Sequence, residues 1–486
     1  MIPSDFEAIR NGLGSLDAAA SHTASGETRP KVWEIFAPEQ HAGALDPNVT
    51  IVLGARGAGK SFWAGVLGDD NTRKVATEAY PHLGLEDVLV RFGFTGLPSD
   101  GSVSRATIDS LVPNGAELTK GLLLWRCVIM RALEAAINPN RIQPTISEMM
   151  IKYSDPELWE RDFEISDQVI FEKSKKILVV FDALDSLAVD WERLRNLTDA
   201  LLDVAWSTRG YKAVRMKLFL RPDQMRDLGL RFVELPKLLA GATNLRWSGV
   251  DLYGMLFARV GVTDYPSAQK AFSRLLDEEG ISATPKDLKR LRTWPLAHQR
   301  SAQAKVFTRL AGAYMGRSNK KGRTYDWPLR HLADGHGEVT PRSFLTLMIE
   351  AAKFQPYVVG QTISAEGIRH GLREASKTRV NQLELEFPWI KRALVPLARL
   401  QVPCTTVVIT GRWEETKTID AILRQAAERN FLPPFDTKVE GKPDLALIGT
   451  LVRIGVLMIR SDERFDMPDL FRVAARLLKK GGVAPT

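Results

Sequence analysis

The segment Gly54-Ala55-Arg56-Gly57-Ala58-Gly59-Lys60-Ser61 constrains the fold of this chain more than any other. It follows Thr50-Ile51-Val52-Leu53, an apolar β-rich run, and precedes Phe62-Trp63-Ala64-Gly65-Val66-Leu67, which reads as a helix. A strand that curls through glycines into a helix N-terminus leaves successive N–H groups pointing inward, and the helix end adds partial positive charge. The G-x-x-x-x-G-K-[ST] spacing therefore predicts a phosphate cradle. Gly54, Arg56, Gly57, Ala58 and Gly59 form the loop, Lys60 reaches the β/γ-phosphates, the Ser61 hydroxyl ligates Mg²⁺, and Phe62 stands in the first helical turn.

Such a site needs an acid at the end of a buried strand to hold the metal through water. Ile177-Leu178-Val179-Val180-Phe181-Asp182 supplies one: an unbroken apolar run, as expected of a central parallel strand covered on both faces, ending in a carboxylate. Asp182 is the expected metal-side acid, opposite Ser61. A helix cap after an ordinary strand is the plainer alternative. The expected fold class is α/β, a P-loop NTPase with a central parallel sheet binding ATP and Mg²⁺.

Asp182-Ala183-Leu184-Asp185-Ser186-Leu187 resembles the Walker B region of AAA+ and STAND-type P-loop ATPases, in the neighbourhood of the NB-ARC, KAP and origin-recognition groups. Relatives often carry a second acid, usually the water-activating base, where this chain has Ala183. The resemblance then leaves Asp185 as a substitute, or a slow switch that holds ATP for long periods. Met216-Lys217-Leu218-Phe219-Leu220-Arg221 is similar to the sensor-1 strand of STAND ATPases, which implies that Arg221 faces the γ-phosphate. Its alternative is an arginine solvating a sheet edge. Thr243-Asn244-Leu245-Arg246-Trp247 and the helical run from Asp251 fit the passage from a nucleotide core to its lid.

Residues 251–355 read as mainly helical, interrupted by the basic stretch Gly316-Arg317-Ser318-Asn319-Lys320-Lys321-Gly322-Arg323. Upstream, Lys286, Lys289, Arg290, Arg292, Arg300 and Lys305 are opposed within their window only by Asp287. The two basic segments, 286–305 and 317–323, are candidate nucleic-acid contacts or simply solvated surface. Gly337-Glu338-Val339-Thr340-Pro341-Arg342 resembles the sensor-2 corner of AAA+ ATPases, which implies that Arg342 closes a lid over the nucleotide. A plain helix start, with Thr340 as N-cap and Pro341 in the first turn, explains the same spacing.

Residues 356–440 read as a helical connecting domain, with helices near 365–383 and 416–430, and the proline- and charge-rich run 432–443 reads as a linker. The helical Leu445–Ile454 stretch, Gly455, and two short β-like runs flanking Ser461–Arg464 have the layout of a winged helix. Met467-Pro468-Asp469-Leu470 is similar to the M-H-D-L motif of NB-ARC proteins, with Pro468 in place of the histidine that helps hold ADP in that family. That contact is not carried over. The expected domains are 1–250 (core), 251–355 (helical lid), 356–440 (connector) and 441–486 (winged-helix-like).

Composition narrows the setting. No apolar run reaches the ~18 residues needed to span a bilayer, and the N-terminus has no signal-peptide pattern. The two cysteines, Cys127 and Cys404, read as buried thiols in a reducing, cytoplasmic compartment. The seven histidines show no metal-ligand spacing, and no G-x-S-x-G elbow is present. A net charge of +8 permits polyanion partners without requiring them.

No nuclease, protease or kinase motif accompanies the nucleotide loop, so the expected output lies in a separately encoded effector. The resemblance implies a prokaryotic switch or motor ATPase working in an oligomer or multi-protein complex, for instance in anti-phage defence. Two other readings stay open: a DNA-binding AAA+ loader or initiator, and a nucleotide-stabilised scaffold that scarcely turns over.

Overall fold

Apolar runs that are buried on both faces pair in parallel when a helix covers each crossover, and residues 20–246 follow that rule. The computed structural model describes all residues except 18–21, 25–27, 98–100, 189, 223, 226–232, 432, 435–441 and 486. It divides into two compact units, residues 20–246 and residues 1–19 with 247–486.

The first unit carries a five-stranded sheet of β1 (Ile51–Leu53), β2 (Val88–Phe94), β3 (Lys176–Phe181), β4 (Val214–Leu220) and β5 (Thr243–Asn244). The strands are all parallel, in the order β2-β3-β4-β1-β5. β4 is thus inserted between the strand that leads into the glycine loop and the strand that ends at Asp182. Val180 pairs with Lys217 and Phe181 with Leu218, so the two strands run in step toward the same sheet edge.

Five of the six β3 residues are buried, which accounts for their unbroken apolar run. The Glu117–Ile137 and Trp191–Ser207 helices pack against each other and against the sheet. Trp125 on the first meets Phe181 edge-on at 5.8 Å between ring centres and donates its indole N–H to the Leu197 carbonyl at 2.8 Å. Buried Trp N–H groups need such an acceptor. At the other end of the sheet, Asp167 accepts from the amides of Lys212, Ala213 and Val214 at 2.9, 2.7 and 2.9 Å, fixing where β4 begins.

The second unit is mostly helical. Its N-terminal helix, Pro3–Gly14, packs on Pro266–Glu278 and Pro341–Lys353. Arg10 donates to the carbonyls of Thr362 and Gln361 at 3.0 and 2.6 Å, and Asp5 pairs with Arg274. The stretches read as helical at 365–383 and 416–430 are occupied by Ala365–Glu386 and Thr418–Arg429.

Near the C-terminus the Pro443–Arg453 helix is followed by Gly455 at φ 75°, a left-handed position natural to glycine. An antiparallel pair then forms between Met458–Ile459 and Phe465–Asp466. Cys404 bridges to Phe465, adding a third stretch of chain. In the Met467-Pro468-Asp469-Leu470 segment, Asp469 pairs with His331 and with the fully buried Arg472 at 2.6 Å, so it is occupied in tying these elements together. Most of the run read as a linker, 432–443, lies outside the described residues. No described helix is long and apolar enough to cross a membrane.

Candidate nucleotide-binding site

The loop after β1 has the backbone its glycines permit. Gly57 and Gly59 adopt φ 84° and 107°, conformations unfavourable to L side chains. The helix Lys60–Gly68 begins immediately after Gly59. A Cβ on Gly54 would stand 3.2–3.3 Å from side-chain carbons of Lys60, Ala58 and Leu245, a tight fit that a side chain could enter only by shifting them. The Gly54 amide donates to the Leu220 carbonyl at 3.1 Å, and the Leu245 amide to the Leu53 carbonyl at 2.8 Å. The cradle is therefore held by strands on both sides of β1.

Lys60 folds its ammonium onto the loop's own carbonyls, those of Gly54 at 2.8 Å and Ala55 at 3.3 Å. Ser61 lies beside the Asp182 carboxylate, near enough to favour its ionised form. These two residues are far apart in sequence, and bringing them together is the central demand of the motif reading. Asp182 is 2% exposed, and its Oδ1 has no hydrogen-bond partner among the described residues. Burial pushes the Asp182 carboxyl above its ordinary range, opposed by Ser61, by the charge of Lys60 and by the Ala183 amide, while Asp185 adds to the upward push.

Arg221 leaves the end of β4 buried, 3.5 Å from the Asp185 carboxylate, and its amide donates to Gln224 Oε1 at 2.9 Å. The burial of Arg221, whose partner Asp185 is itself exposed, replaces the edge-solvation alternative. Ala183 has φ 54° and ψ 33°, so the chain makes a left-handed kink directly after Asp182. Lys60, Ser61, Asp182, Asp185 and Arg221 therefore converge on the C-terminal edge of the sheet, where ligands of parallel α/β sheets bind. Arg56 and Phe62 are half-buried, and Ala58 is buried. Phe62 meets His22 and Trp63 edge-on at 5.1 and 5.4 Å.

Arg342 lies in the other compact unit, in the first turn of Pro341–Lys353. There Thr340 caps the helix by accepting from the Ser343 amide at 3.3 Å, as the plain helix-start reading requires. Arg209 and Arg231 are offered by sequence position alone as inter-subunit arginine fingers; Arg209 lies over the Trp206 ring at 4.5 Å, and Arg231 lies outside the described residues.

Three side chains that support the site carry no motif signal. Trp63 is fully buried and donates its indole N–H to His41 Nδ1 at 3.3 Å. With Nδ1 accepting, His41 Nε2 carries the proton and donates to the Arg246 carbonyl at 2.8 Å. This neutral imidazole ties the P-loop helix to the chain leaving β5. Lys217, fully buried on β4, donates to the carbonyls of Gly43, Asp46 and Val49 at 3.3, 2.8 and 2.7 Å and so holds the segment entering β1.

No protein-family model matches the chain, nor does any curated protein or any solved structure. Among the described residues no group of three or more His, Cys, Asp or Glu gathers as a metal-ligand set. Any divalent ion here would lean on Ser61, on Asp182 and on oxygens outside the protein.

Proposed function

We propose that this chain is a Mg²⁺-dependent, ATP-binding switch or motor ATPase of AAA+/STAND kind, controlling a separate effector within a larger complex. One observation carries the reading: the fold brings Ser61, at the start of the helix after the glycine loop, beside the strand-end acid Asp182, whose Oδ1 is buried without a partner among the described residues. A buried carboxylate oxygen left open is costly unless a cation or its water shell completes it. The donor set suits Mg²⁺, which keeps several waters and takes few protein ligands.

Bound Mg²⁺ would neutralise phosphate charge and supply Lewis-acid polarisation of the phosphoryl group. Lys60 would exchange the carbonyls of Gly54 and Ala55 for phosphate oxygens, freeing the loop to open its amides inward. Arg221, one residue past the inserted strand, would report the γ-phosphate, as the resemblance implies. Asp185 is among its present partners. Turnover is slow in this reading, because Ala183 offers no base and Asp185 is engaged. Residues 251–355 would serve as the lid with Arg342, and the Pro443–Arg453 helix with its hairpin as the winged-helix element. A role in anti-phage defence is fold-level analogy.

The test is a thermal shift of the purified chain with ATP or a non-hydrolysable analogue, in Mg²⁺ or in EDTA. At ligand near 100 times Kd the sheet-bearing unit should gain about 2.7 kcal/mol, or roughly 5–10 °C, in Mg²⁺ only. Lys60→Ala should lose the gain entirely. An equal shift in wild type and Lys60→Ala sinks the proposal.

A further inference from the structure

The two basic segments look alike in sequence and differ in the fold. In 286–305, Arg290 pairs with Asp287, Arg300 with Asp326 and Lys305 with Glu279, at 3.5, 2.7 and 3.0 Å. Glu279 and Asp326 lie outside the window in which the segment reads as uncompensated. Much of its charge is therefore answered within the protein surface.

The second segment is a short ribbon. Tyr314 bridges antiparallel to Arg323, the Met315 amide donates to the Gly322 carbonyl at 2.9 Å, and the Thr324 amide donates to the Ala313 carbonyl at 3.1 Å. Gly312 and Gly322 sit at φ 78° and 84°, where the chain turns into and out of the ribbon. Arg369 donates to the Met315 carbonyl while pairing with Glu366, which pins the ribbon's base to the Ala365–Glu386 helix. Arg317, Lys320, Lys321 and Arg323 are all exposed, and none is ion-paired or hydrogen-bonded through its side chain to a described residue.

Four uncompensated cations on a fixed ribbon cost self-repulsion that a monomeric surface has no need of. A cluster of exposed like charges raises the local potential and attracts a polyanion. Lys320 and Lys321 sit in the one-turn 3-10 helix Asn319–Lys321 at the tip, with Arg317 before it and Arg323 on the returning arm, and this mixture of Arg and Lys suits the phosphates of a nucleic-acid backbone. We propose that the 313–324 ribbon is a nucleic-acid contact that grips the phosphate backbone without reading sequence. It is independent of the nucleotide site.

The test is fluorescence anisotropy of the full chain on a labelled duplex and on a single strand of equal length, from 50 to 300 mM KCl. Wild type should show a linear fall of log K with log salt. Arg317→Ala/Lys320→Ala/Lys321→Ala should flatten the slope by about 0.9 for each duplex phosphate that is no longer neutralised, lowering affinity roughly 10- to 100-fold at 50 mM salt, with Tm unchanged. The milder Lys320→Gln/Lys321→Gln should fall between the two. Arg300→Ala/Lys305→Ala, which removes two cations already paired with Asp326 and Glu279, should leave slope and affinity near wild type. Equal slopes in wild type and the triple variant overturn the proposal, as does an equal loss from the 300/305 variant. Binding to anionic phosphatidylserine vesicles with none to either nucleic acid overturns it in favour of a membrane surface.

Discussion

Two buried charges sit on adjacent strands of the same sheet and are treated in opposite ways. Lys217, in the middle of β4, commits its ammonium to three backbone carbonyls. Asp182, one residue past the end of β3, has Ser61 beside it but leaves Oδ1 without a partner among the described residues. A charge whose hydrogen bonds close inside the fold is architecture. A charge left partly open at the C-terminal edge of a parallel sheet is what the proposed ligand site would use.

The contrast breaks most violently at Lys217. Lys217→Met removes the shared donor from the half-buried carbonyls of Gly43, Asp46 and Val49, and an orphaned acceptor costs about 1–3 kcal/mol. The variant should lose roughly 3 kcal/mol or more in denaturant unfolding, and a neutral result would mean the segment 43–49 needs no anchor.

Lys217 also gives a pH signature. Burial pulls its ammonium down to about 7 from an ordinary lysine value of 10.5, against a smaller upward pull from Asp46. Between those two values the unfolded chain binds more protons than the folded one, so stability from this group rises with pH across that window, and below about 7 the full cost of holding the charge is present. Wild type should show that rise, and Lys217→Met should not.

Asp182→Asn sharpens the other side of the comparison with a smaller effect. Removing a buried carboxylate that lacks one partner should raise the stability of the nucleotide-free chain by ~0.5–2 kcal/mol, as substitutions at functional sites often do. The same change should erase the Mg²⁺-dependent part of the ATP shift. A variant that is destabilised without ligand would make Asp182 a second structural charge, like Lys217.

The sequence carries the open charge better than the closed one. Gly54 to Ser61 and the run ending at Asp182 are local patterns whose chemistry depends on spacing, so the residues of the cradle, Asp182 and the parallel sheet are all legible. Lys217 is not, because a lysine among alternating apolar residues reads equally well as a solvated strand position. Its three acceptors lie on a segment far upstream. His41 is silent for the same reason: its role exists only once Trp63 and the Arg246 carbonyl arrive from two other elements. The charge of 286–305 is over-read from sequence because Glu279 and Asp326 compensate it from outside the window. Nor does any local signal tell that Pro3–Gly14 belongs with residues beyond 247.

The smallest expected effect lies in the one backbone position that separates the two treatments. Directly after Asp182 the chain kinks through Ala183 at φ 54° and ψ 33°, a conformation that costs an L residue about 1–2 kcal/mol. Lys217, by contrast, sits in regular strand, where its closed set of bonds asks nothing unusual of the backbone. If the kink is what holds the carboxylate of Asp182 toward Ser61, relieving its strain should stabilise the fold without loosening the site. Ala183→Gly removes the Cβ clash and adds ~0.4–1 kcal/mol of unfolded-state entropy to be lost, for a net gain of about 0.5 kcal/mol. Ala183→Val, β-branched at a left-handed position, should instead lose more than about 1 kcal/mol. Both are read by denaturant midpoints at constant m. A gain in the valine variant would mean that the kink relaxes freely, and that Asp182 is aimed at Ser61 by the packing of β3 alone.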